Sequence, residues 1–152
     1  MKKLKALAFC VFLSTICLQL SAQTNIPLNE PDYNKPKIFS DLPQQMILQT
    51  TEAEHSFTLR EGEIAKIQLS QQFVFDGTVI SNGGNKITKT ILIRIPARNN
   101  AILSLSRTAT PDGIVSWSGR IMSRNNGDAF EIKKENGQYI FNKINLYDLI
   151  SE

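Results

Sequence analysis

A chain of 152 residues with 17 Lys and Arg, 14 Asp and Glu, one His and two Cys is long enough for one domain and short for two. Its formal charge of +3 belongs to the first residues: Lys2, Lys3 and Lys5 carry the excess, and from Gln23 onward 14 basic groups balance 14 acidic ones. A neutral body argues against nucleic acid or an anionic membrane surface as partner, and a single histidine excludes the commonest zinc and histidine-pair sites.

Residues 1–5 are basic, Ala6 to Leu20 is apolar, and Ser21-Ala22 sets small residues before Gln23. That order is the order of a secretory signal peptide, so residues 1–22 are expected to be cleaved and Gln23 to begin the mature protein. The apolar run, interrupted by Ser14, Thr15 and Gln19, falls short of the roughly 20 residues that a membrane span needs. No span is expected after cleavage. Phe9 before Cys10 and Ile16 before Cys17 are too bulky for lipoprotein processing, so both cysteines should leave with the signal. The protein is then expected in the periplasm, on the outer surface or in the medium, held by its core and not by disulfides.

Residues 23–38, with Pro27, Pro31 and Pro36 and no apolar period, read as an extended leader. A single β-rich domain is expected over 39–152. Asp41 or Ser40 before Leu42-Pro43 predicts a short helix over about 42–48; the alternative is an irregular stretch in which Phe39, Met46 and Leu48 plug a core edge. From Ser56 the apolar period becomes two. The alternations are Phe57 and Leu59; Ala65, Ile67 and Leu69; Phe73, Phe75 and Val79; Ile91, Ile93 and Ile95; Ala101, Leu103 and Leu105; Val115, Trp117 and Ile121; Phe130 and Ile132; Tyr139 and Phe141. They predict about eight short strands. Turn sequences such as Asn82-Gly83-Gly84-Asn85, Pro111-Asp112-Gly113 and Asn136-Gly137 separate them, which favours successive hairpins. The fold class is therefore all-β, a small antiparallel barrel or sandwich. Gly77 and Gly119 inside strands are expected to mark a bulge or sharp bend. The tail from Ile144 to Ile150 places Leu146, Tyr147 and Ile150 on one helical side, and with Asn145 as cap and Asp148 as its partner predicts a terminal helical turn.

Several segments, among them Phe39-Ser40-Asp41-Leu42-Pro43, Phe75-Asp76-Gly77, Ser118-Gly119-Arg120-Ile121 and Tyr147-Asp148-Leu149-Ile150, together resemble a group of small exported hypothetical proteins of Bacteroidetes type. The resemblance implies export and carries over no catalytic role. A second likeness, through Trp117-Ser118-Gly119-Arg120 after a turn, is to the β-rich propeptides of secreted metalloproteases; the His-Glu-x-x-His domain that follows such propeptides is not in this sequence.

Chemistry is sparse. His55 alone cannot make a zinc site, and no Gly-x-Ser-x-Gly turn presents a serine nucleophile. Asp112 and Asp128 lie in turn sequences that explain them, whereas Asp76 stands in an otherwise apolar strand. Trp117 belongs to the inward alternation, although an outward Trp117 beside Arg120 would suit a contact surface. Asp76, Trp117 and Arg120 are accordingly the candidate binding residues; no catalytic or metal-ligating residue and no cofactor is expected. The reading is a non-catalytic exported domain that binds an envelope or secreted protein. The alternatives are a propeptide-like inhibitor or chaperone of a secreted hydrolase and, third, a small carboxylate-dependent hydrolase.

Overall fold

The computed structural model describes residues 34–149 other than 69, 71 and 72, so the expected signal segment and most of the leader lie outside the described residues. Eight strands form one antiparallel sheet: β1 (Gln45–Ile47), β2 (Ile64–Gln68), β3 (Val74–Gly84), β4 (Thr88–Ile95), β5 (Ala101–Ala109), β6 (Val115–Met122), β7 (Asp128–Glu135) and β8 (Gln138–Asn145). β2 to β8 follow one another as a meander, and β1 closes the row beside β8. The sheet curls into a half-barrel. The expected all-β fold is thus found as one open, curved sheet.

Alternation explains which face turns inward. Ala65 and Ile67 pair with Gly77 and Phe75, Val79 with Ile93, Ile91 with Leu105, Leu103 with Ile121, and Ile132 with Phe141. All these apolar side chains are buried, so the predicted period of two marks the core directly. Phe39 packs edge-on against Phe130, with ring centroids 5.3 Å apart.

Neither Gly77 nor Gly119 sits at a bulge; the register slips between Val79 and Ser81 instead. The two glycines have a different cause. A Cβ on Gly77 would lie 2.6 Å from Ile93 Cγ2, and one on Gly119 would lie 2.4 Å from the Ser104 carbonyl oxygen. Both positions let a neighbouring strand come closer than any side chain permits, as a tight curl requires.

Three local expectations need correction, the first being the turn at Asn82-Gly83-Gly84-Asn85: Asn82, Gly83 and Gly84 belong to β3 and pair with Ile91, Thr90 and Lys89 of β4. Residues 42–48 are not a helix: Met46 and Leu48 turn inward, Gln45 and Ile47 outward, and β1 pairs with Asn142, Phe141 and Ile140 of β8. Phe39, Met46 and Leu48 are buried, as the alternative reading had them. The helix lies just beyond, as α1 (Thr50–Ser56), whose buried residues are the small Ala53 and Ser56 and so leave no apolar period to read. Phe57 and Leu59 form no strand; their carbonyls accept hydrogen bonds from Asn82 Nδ2 at 3.0 and 2.6 Å, and both side chains pack on the core. A cleft of about 250 Å3 lies between β1 and Ser70 with Phe73.

The end of the expected leader docks on the domain. Asp128, only 2% exposed, accepts the backbone N–H groups of Ile38 and Phe39 at 2.8 and 2.9 Å, and Gly127 N–H donates to the Pro36 carbonyl at 3.0 Å. Arg98 donates to the Ile38 carbonyl and grips Asp41 with two hydrogen bonds of 2.6 and 2.7 Å. The hydrogen bond from Arg98 holds the Asp41 carboxyl below the usual carboxylate range, and Asp41 in turn raises Arg98. Leu146–Leu149 forms the terminal turn, as a 3-10 helix, with Asn145 Nδ2 donating to Asp148 at 3.4 Å, and Ile150 lies outside the described residues.

Candidate functional site

The face opposite the core carries serines and charged side chains between apolar Ile102 and Met122 where β5, β6 and β7 come together. Along β5 the outward residues are Ile102, Ser104 and Ser106; along β6 they are Met122, Arg120 and Ser118, each directly opposite its β5 counterpart. Three serines therefore sit between longer side chains, and the sheet is hollowed there into an open groove of about 870 Å3. Ser106 Oγ shares a hydrogen bond with Thr90 Oγ1 at 2.9 Å, which anchors the floor to β4.

One end of the groove is built by two loops. Asn99 and Asn100, between the Pro96–Arg98 turn and β5, both hold positive φ (50° and 55°), a backbone conformation that asparagine tolerates better than most residues. Asn99 Nδ2 donates to Asn126 Oδ1 at 2.9 Å, so the two loops are tied to one another. Ser123, Arg124 and Asn125 complete that end.

The charge of the groove is set by three residues. Arg120 Nε and Nη2 both donate to Glu131 Oε1, at 3.1 and 2.9 Å, across the β6–β7 pair. Arg124 is exposed and makes no ion pair among the described residues. Two guanidiniums thus face one carboxylate, and that carboxylate is already engaged.

The three candidate residues of the sequence do not converge. Arg120 lines the groove. Trp117, 8% exposed, faces the core with its ring 6.0 Å from that of Phe57, so the indole has almost no surface to offer a partner and the inward alternation is the correct one. Asp76 is exposed on β3 opposite Lys66, three strands away from β6, about 14 Å at the usual strand spacing. His55 lies exposed on α1 and is not part of the groove. What sequence reading missed is the serine row: the signal was there, as Ser104, Ser106 and Ser118 are the outward partners of an inward alternation, but only the register sets them beside one another.

Among the described residues no group of three or more His, Cys, Asp or Glu side chains could hold a metal ion, and no helix is long and apolar enough to cross a membrane. Comparison with known proteins finds no matching family model, no matching curated sequence and no matching solved structure.

Proposed function

We propose that this protein is an exported, non-catalytic binding domain that holds another envelope or secreted protein in the groove across β5, β6 and β7. The observation that carries the reading is the serine-floored groove on the outer face, where short hydroxyl side chains and a guanidinium stand on a sheet whose other face is fully packed. A rigid scaffold loses little conformational freedom on binding, and a recess framed by apolar Ile102 and Met122 with a few convergent polar groups is a contact surface of ordinary kind. Hydrolysis would need a nucleophile beside a base or a pair of carboxyl groups. The groove serines have no histidine near them in its lining, and Glu131 is engaged by Arg120.

The test is crosslinking in the native envelope with wild type, Ser118→Trp and Asp76→Asn, followed by identification of the crosslinked protein. The same partner is expected with wild type and Asp76→Asn and is expected to be lost with Ser118→Trp, whose indole would fill the groove. Capture that ignores Ser118→Trp would end the assignment to this groove. A hydrolase panel that finds turnover abolished by Asp76→Asn or His55→Ala without unfolding would end the non-catalytic reading.

A further inference from the structure

At Ser118, Gly119 and Ile132 the groove reaches a parting of the sheet. β6 pairs with β5 along its whole length, Val115–Met122, but with β7 only at Arg120–Met122. Val115–Gly119 on one bank and Ile132–Glu135 on the other continue without a ladder between them. Tyr139 reaches across the inner side and donates its hydroxyl to the Val115 carbonyl at 3.2 Å. Gly119 and Ile132 belong to the inward rows and still line the outer groove, because the strands separate at this point. Backbone N–H and C=O groups freed from a ladder are a template for an extended chain, which meets them with its own main chain.

Side chains and charge narrow the occupant. Ser104, Ser106 and Ser118 keep the floor low, so a main chain can lie close to the sheet. Among the described residues no aromatic side chain lines the groove, which leaves a sugar without a ring face to stack on. At the loop end Arg124 has no ion pair among the described residues, and the Lys35 ammonium donates to the Arg124 carbonyl at 3.1 Å. That end is cationic, and a carboxylate complements it.

We infer that the groove takes an extended peptide segment of the partner, which runs from the parting of β6 and β7 over the Arg120–Met122 pairs to the loop end and sets an acidic side chain at Arg124. This rests on the binding-domain reading and goes further by naming what is bound. The experiment pans protein purified from cells expressing the full chain against displayed random dodecapeptides. Recovered peptides are synthesised and titrated by fluorescence anisotropy against wild type, Arg124→Glu, Ser118→Trp and the hairpin-tip control Lys86→Gln. Recovered sequences should contain Asp or Glu and should bind roughly tenfold or more weakly to Arg124→Glu and Ser118→Trp, with Lys86→Gln unchanged. Hydrogen exchange on wild type, which needs no variant to fold, should slow at Val115–Gly119 and Ile132–Glu135 when peptide is added. Recovery of no peptide, binding indifferent to Arg124→Glu, or slowed exchange with a uronic-acid oligosaccharide in place of peptide would overturn the inference. Should native crosslinking depend on Ser118 while no peptide is recovered, only the extended-peptide inference falls; should crosslinking ignore Ser118, the groove reading falls with it.

Discussion

Trp117 is the only tryptophan in the chain, and its place in the Val115, Trp117, Gly119, Ile121 row determines what it can do. Ser116 and Ser118 face out, so the indole must face in, where it meets Phe57. Trp117→Ala should therefore lower stability by about 3 to 5 kcal/mol in chemical denaturation, the range for truncating a buried aromatic. The native fluorescence should be blue-shifted. An unchanged denaturation midpoint with a red-shifted emission would place the ring at the surface instead. Asp128 is the other residue whose chemistry is decided by burial. Both its carboxylate oxygens accept a backbone N–H, and Asp128→Asn would set a second donor against one of them. A loss of about 1 to 3 kcal/mol is expected, with faster hydrogen exchange at Ile38 and Phe39 as the local readout.

At the scale of the elements, close approach matters more than propensity. β6 pairs with β5 over its full length, and Gly119 meets the backbone of Ser104 and Leu105 from the facing strand. A methyl group there would overlap the Ser104 carbonyl, so Gly119→Ala should be destabilising by about 1 to 3 kcal/mol. Gly83→Ala is the matched control: nothing lies within 4 Å of a Cβ at that position, and the change should stay within about 0.5 kcal/mol. Urea midpoints of the two variants check both statements. The hairpins obey local chemistry more simply. Asn136 and Gly137, with φ of 49° and 80°, form the two-residue turn between β7 and β8, and Asn85 Oδ1 accepts the N–H groups of Ile87 and Thr88 at the tip between β3 and β4.

Over the whole molecule, the sheet begins and ends on unlike edges. β1 is three residues long, whereas β2 presents Ile64, 76% exposed, beside a lysine, Lys66, on the same outward row. A charged side chain on an edge strand discourages pairing with another copy. What the sequence determined by itself was the inward row of each hairpin from β2 to β8 and the turns at Pro111-Asp112-Gly113 and Asn136-Gly137, because period two and positive-φ residues are local properties of the chain. It also held the outward serines, as the complement of that row. Tertiary structure alone decided the rest. Whether residues 42–48 became helix or strand depended on a free edge of β8, about a hundred positions further along, and α1 formed on packing of two small residues that carry no apolar period. The groove, too, depends on β6 following β5 along its whole length while meeting β7 only from Arg120 onward, a parting fixed by how the curved sheet covers its core and by no short segment of the chain.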